Sequence, residues 1–259
     1  MKSKIAAFGS GTAVGTLGGL IGLGGAEFRL PILISLFRFP ALEAVILNKA
    51  MSLVVVATAL PFRAATVPFD TIASHWSIIV NLLAGSLLGA WVGASWATKL
   101  TSQTLYRTIA VLLVVMAAVL LWGHALDGGQ SLLNGTAQMI AGALAGFAIG
   151  VVASLMGVAG GELLIPTLML LFGADIKLAG SLSLAVSLPT MLVGFARYSG
   201  DRSFVVIREH WRFALTMAAG SVVGAIIGGK LLGLVPDAVL LPVLALILIL
   251  SAIKVWGHQ

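Results

Sequence analysis

The stretch LIGLGGAEFRLPILISLF, Leu20–Phe37, is an apolar run broken by glycines and carrying two charges, Glu27 and Arg29. A near copy, LMGVAGGELLIPTLMLLF, Leu155–Phe172, follows at an offset of 135 residues (Leu20 to Leu155). The pairs Gly22/Gly157, Gly25/Gly160, Glu27/Glu162, Pro31/Pro166 and Phe37/Phe172 are identical. At the same offset His75-Trp76 matches His210-Trp211, and Gly85, Gly89 and Gly93 match Gly220, Gly224 and Gly228. Leucine and alanine match by chance in a greasy chain. Paired Glu, Pro and His-Trp at one offset do not, so the chain reads as a duplication.

Each copy has the chemistry of a helix that stops and starts again. Glycine at Gly22, Gly24 and Gly25 makes continuous helix costly, about 1 kcal/mol each relative to alanine. Pro31 then falls within or just after the first turn of the helix that follows, where its missing N–H costs little. In copy two the break is Gly157–Gly161 and the proline is Pro166. These four residues, Gly22, Pro31, Gly157 and Pro166, are the expected helix-break positions.

The rest of the composition places these breaks in a membrane. Of the 259 residues 59% are hydrophobic and 9% charged, and the mean hydropathy is +1.11. A soluble domain carries more charge than that. Apolar runs fall at about Ile5–Leu23, Ala44–Leu60, Trp76–Ala97, Leu105–Gly123, Thr136–Met156, Leu178–Ala196, Trp211–Leu232 and Ala238–Trp256. Each approaches the ~20 residues a helix needs to span the hydrocarbon. Period-2 alternation is absent, which argues against a β-barrel. The expected fold class is therefore an all-α membrane protein, a polytopic helical bundle of two homologous repeats with helices broken at Gly-rich motifs. The net charge of +6 is scattered at the ends of apolar runs, so it points to a cytoplasmic face and not to nucleic acid. There is no cysteine and hence no disulfide. The start, Met1–Gly22, resembles a signal peptide, but its apolar stretch runs on into the repeated motif and reads as an uncleaved first helix.

The expected organisation is repeat one over 1–125, a linker loop over 126–135 and repeat two over 136–259. If Ile5–Ile21 and Ala26–Leu42 form a hairpin followed by three spans, the net crossings are odd and the repeats are inverted. The positive-inside rule agrees: with Lys2 and Lys4 inside, the loops Lys99–Arg107 and Arg197–Arg212 are inside too, and His124–Asn134, without Lys or Arg, is outside.

A helix start inside a membrane presents N–H groups and the positive end of a dipole, a ready anion site. Two such starts, one per repeat, could enclose one small anion at their interface. The alternative is that the glycines only let helices pack closely. Broken backbone must line protein or a cavity, which favours the site. The expected substrate-binding residues are Gly24, Gly25, Ala26, Gly160 and Gly161 at the two breaks; Arg29 and Lys49, cations inside apolar runs; and Asn48 and Ser52 with their counterparts Ser183 and Ser187. Arg29 could clamp an oxyanion through parallel N–H bonds, or else pair with a carboxylate. Lys49 could instead snorkel to the surface. The four neutral residues suit a polar site and helix–helix contacts equally. Glu27 and Glu162 are either helix-start carboxylates or proton-coupling groups.

Other features read as structural. Gly85-Gly89-Gly93, Gly220-Gly224-Gly228 and Gly142-Gly146-Gly150 are stripes for close packing. Trp76, Trp122, Trp211 and Trp256 end apolar runs as an interfacial belt would. His75 and His210 beside them are expected to be interfacial. No HExxH, GxSxG or phosphate loop is present, so neither enzyme chemistry, a metal nor a cofactor is expected.

With GGLIGLGGAEFRLPIL and GVVASLMGVAGGELLIPTL, and the duplicated layout around them, the chain resembles the sulfite exporter TauE/SafE family of bacterial and archaeal permeases. The family's break resembles GxGGG; Ala26 and Ala159 interrupt it here. The resemblance implies small sulfur-containing anions or organic acids, such as sulfite, sulfoacetate, sulfolactate or thiosulfate. The expectation is a multi-pass secondary transporter of the plasma (inner) membrane with a cytoplasmic N-terminus. It would move a sulfonate or sulfur oxyanion by alternating access, coupled to protons, with the lipid bilayer and a second copy in a homodimer as partners. The rival readings are a passive anion channel and a non-transporting scaffold or assembly protein.

Overall fold

The computed structural model describes residues 4–20, 25–64, 69–123, 131–231 and 237–257. Among the described residues all regular structure is helical: α1 Lys4–Leu20, α2 Ala26–Ser35, α3 Ala41–Ala64, α4 Phe69–Ser74, α5 Trp76–Ala97, α6 Ser102–Gly123, α7 Gly135–Met156, α8 Gly161–Phe172, α9 Ile176–Tyr198, a 3-10 turn Arg202–Phe204, α10 Val205–Leu231 and α11 Asp237–Trp256. Six of them, α3, α5, α6, α7, α9 and α10, are long and apolar enough to cross a membrane. The outer surface is apolar as well: Leu88, Leu144 and Ile253 are each 65% exposed. Such a surface suits hydrocarbon, so the chain is a multi-pass membrane protein.

Two boundaries depart from the sequence expectation. The arm expected over Ala26–Leu42 stops at Ser35, and Leu42 belongs to α3. Arg38 is left-handed at φ 53, and Phe39 precedes Pro40, a position that disfavours helix. The region Arg197–Arg212, expected as a loop, is already helical from Val205, with a kink at His210 (φ −118°, ψ 21°). His75 has nearly the same backbone (φ −100°, ψ 21°) between α4 and α5. The helical segments before these histidines, Phe69–Ser74 and Val205–Glu209, are too short to register as spans by themselves. Of the expected linker, 126–130 lies outside the described residues, and α7 begins at Gly135, one residue before the expected repeat boundary.

Small residues decide which helices meet. A Cβ at Gly11, Gly15 or Gly19 would strike the backbone of Met217, Ser221 or Ala225, so α1 lies directly against α10. Gly85, Gly89 and Gly93 likewise abut Ala143, Phe147 and Val151, joining α5 to α7. Both series rise in the same order along the two chains, so each pair runs parallel. α6 packs on α11 in the opposite sense: Arg107, near the start of α6, stacks 5.7 Å over Trp256 at the end of α11. α3 and α9 cross at the centre, between these pairs.

Candidate functional site

α2 and α8 begin in the same way. Gly25 (φ 70°) and Gly160 (φ 81°) hold the left-handed backbone that lets the chain turn into each helix, and no side chain caps either start. Gly25 also sits against the Val14 carbonyl, leaving no room for a side chain. Pro31 and Pro166 lie five residues beyond the first helical residue. Neither can donate to the carbonyl four residues back, which is that of Glu27 in α2 and Glu162 in α8.

The two glutamates meet. Their carboxyl groups face each other closely enough to interact side chain to side chain. Glu27 is 1% exposed, and neither of its oxygens, nor Oε2 of Glu162, makes a hydrogen bond of regular geometry. The helix starts at Gly25–Ala26 and Gly160–Gly161 are therefore brought together. Gly22 and Gly24 lie outside the described residues.

Around this pair, copy one builds a polar cluster. Arg29 is fully buried and donates from Nε to Asn48 Oδ1 (2.8 Å), from Nη2 to Ser52 Oγ (2.6 Å) and from Nη1 to Ser221 Oγ (3.2 Å). All three partners are neutral. Asn48 in turn donates from Nδ2 to the carbonyls of Ala26 (3.0 Å) and Met156 (3.1 Å), tying the start of α2 to the end of α7. Ser52 donates to the Gly157 carbonyl at 3.4 Å. One arginine and one asparagine thus join α2, α3, α7 and α10.

Lys49 does not reach the surface. It is fully buried and donates to the Ala153 carbonyl and to Ser154 Oγ, each at 3.3 Å. Gly194 leaves room for it: a Cβ there would lie 2.9 Å from Nζ. Tyr198 closes the cluster, its hydroxyl donating to the Ser154 carbonyl at 2.8 Å.

Ser183 and Ser187 stand apart from this network. Ser183 donates to the Gly180 carbonyl of its own helix at 2.8 Å, and the Ser187 hydroxyl is buried without a partner. Sequence reading missed Ser154, Ser221, Gly194 and Tyr198. Ser221 had a legible signal, since it is identical to Ser86 at the repeat offset and both are fully buried. It was absorbed into the glycine stripe. Ser86 pairs instead with Thr190 at 2.7 Å, joining α5 to α9. Among the described residues no group of His, Asp or Glu could hold a metal.

Two facing carboxyls beside the buried Arg29, where uncapped helix starts converge, are suited to hold an anion and a proton. Comparison with known proteins bears on the chain as a whole. The family model described as Sulfite exporter TauE/SafE matches residues 4–255. The Bacillus subtilis (strain 168) protein named "Probable membrane transporter protein YunE" is 25% identical, over 85% of this chain and 84% of its own length. No solved structure matches. With the family model covering nearly every residue, the chain belongs to the TauE/SafE family of membrane transporters.

Proposed function

We propose that this protein is a secondary transporter that moves a small anion, a sulfonate, sulfite-like or other sulfur oxyanion, across the plasma membrane by alternating access, together with a proton. The observation that carries the reading is the meeting of Glu27 and Glu162 beside the buried Arg29. Facing carboxyls resist ionising together, because like charges at contact repel strongly in a dry site. A proton on the pair removes negative charge that offsets Arg29, and an incoming monoanion restores it. Anion and proton thus favour each other's binding.

Inverted repeats, 1–125 and 136–259, fit the packing. The first helix of each repeat lies along the fourth helix of the other, as α1 on α10 and α7 on α5. The fifth helices, α6 and α11, meet antiparallel, as an axis in the membrane plane requires. α2 and α8, with 10 and 12 residues, are about 15 Å and 18 Å long at ~1.5 Å per residue. Each would cover about half of a ~30 Å hydrocarbon layer, so their starts would meet near its middle.

Helix directions also sort the charges. Lys4, Arg38, Lys99, Arg107, Arg197, Arg202, Arg208, Arg212 and Lys254 fall toward one face; Arg63, Lys177 and Lys230 toward the other. The positive-inside rule makes the first face, with the N-terminus, cytoplasmic.

The test is uptake into proteoliposomes from a panel of sulfite, sulfoacetate, taurine and short carboxylates at two pH values. Saturable uptake of a sulfur oxyanion, with counterflow and a proton taken in alongside, is expected. Absence of uptake of every anion rejects the reading, and large unitary currents replace the carrier with a channel.

A further inference from the structure

Away from the central site, the ends of α5 and α9 enclose a pocket of about 450 Å³ that is open to the outside. Trp91, Ser95, Lys99, Arg197, Ser199 and Gly200 line it. Arg197 is held in place: its Nε donates to Ser95 Oγ at 2.7 Å, and its guanidinium stacks 5.6 Å over the Trp91 ring. Its two terminal nitrogens make no hydrogen bond among the described residues. Ser199 ends the helix beside it and is exposed, as is Lys99. Below this polar mouth the wall is greasy. Leu88 is 65%, Trp91 52%, Val92 47% and Leu192 52% exposed, the first three on one side of α5 and the last on α9.

We propose that this pocket binds the phosphodiester headgroup of an anionic phospholipid. A planar guanidinium with Nε already engaged offers its remaining N–H edge to phosphate oxygens, which suits bidentate recognition. Lys99 adds a second positive charge. Trp91 stands where an interfacial aromatic meets headgroups. Leu88 and Val92, exposed on the side of α5 that carries Trp91 and Ser95, extend the pocket as an apolar strip where an acyl chain would lie. That strip favours a lipid over a free phosphate ion, which would use only the polar mouth. Basic pockets between helices on the cytoplasmic side are suited to such headgroups.

The experiment is native mass spectrometry of the intact, delipidated protein titrated with phosphatidylglycerol, phosphatidylcholine or inorganic phosphate. Phosphatidylglycerol should be retained about twenty-five-fold over phosphatidylcholine, Lys99 and Arg197 contributing about fivefold each. Lys99→Gln and Arg197→Gln should each weaken retention about fivefold. Inorganic phosphate in excess should not displace the lipid. Lys99 is exposed, so its variant reads binding without a folding defect, and a circular dichroism spectrum checks the fold of both. Equal retention of the two lipids, unchanged retention in the double variant, or full displacement by inorganic phosphate would each overturn the proposal, the last in favour of a free-anion site. Transport of a sulfur oxyanion need not depend on this pocket, so failure here leaves the central-site reading untouched.

Discussion

The two copies of the broken-helix motif share a backbone and differ in charge. Both start on a left-handed glycine, both place a glutamate in the first turn, and both follow it with a proline. Copy one then has Arg29, bonded to Asn48, Ser52 and Ser221. Copy two has Leu164 at the same place, 1% exposed and packed among Ile149, Leu168 and Leu182. Ser187, the counterpart of Ser52, is left without a partner as a result. The difference separates two jobs. Turning the chain and presenting a carboxyl is needed from both halves. The arginine stands in one copy only, and a second at Leu164 would be a further desolvated charge to offset.

Making the copies alike is the severest way to test this. Arg29→Leu should reduce anion transport about a hundredfold or more, within the range for removing one partner of a buried charged contact. A radiolabelled flux assay reads it; transport within a few fold of the parent would show the asymmetry to be incidental. At the glutamates the copies should instead agree. Glu27→Gln and Glu162→Gln should each reduce proton-linked transport about tenfold to a hundredfold and flatten its pH dependence, since one proton is shared by the pair. Parallel flux and internal-pH measurements decide the point, and a large effect from only one of them breaks the pairing.

Smaller effects sharpen the contrast. Asn48→Ala removes the donor to two buried carbonyls and should cost about 2–3 kcal/mol, visible as a fall in melting temperature of the purified protein. Ser183→Ala, which loses only a bond within its own helix, should stay within about 0.5 kcal/mol. Last, Ser52→Ala should cost about 1 kcal/mol, whereas Ser187→Ala should be neutral or slightly stabilising because its hydroxyl has no bond to lose. Equal costs at these two positions would mean that the halves are more alike than their hydrogen bonds indicate.

Much of the architecture was legible because membranes impose length. Trp76–Ala97 was read to the residue, since a span must be continuous and apolar and Trp76 marks its edge. The short helices before His75 and His210 were not, because six or so amphipathic residues leave no periodic signal. At the site, Arg29, Lys49, Glu27 and Glu162 stood out as charges in greasy runs. Which neutral groups receive them did not. Ser221 is 192 residues from Arg29 along the chain, and Ser154 lies 105 from Lys49. A serine in an apolar run looks the same whether it meets a cation, only its own helix or nothing, so the sequence does not separate Asn48 and Ser52 from Ser183, which bonds its own helix, and Ser187, which has no partner. The offset itself held the missing clue for Ser221, an identity among packing residues that packing did not require.

The seams between α1 and α10 and between α5 and α7 have a consequence for ancestry and for engineering. Neither half of the chain closes upon itself: the small-residue stripe of each opening helix is covered by the other half. A polypeptide cut between the halves would leave four such stripes bare, so separate expression should give two insoluble pieces and joint expression one assembled protein. A single-length forerunner would have met the same demand by associating with its own twin.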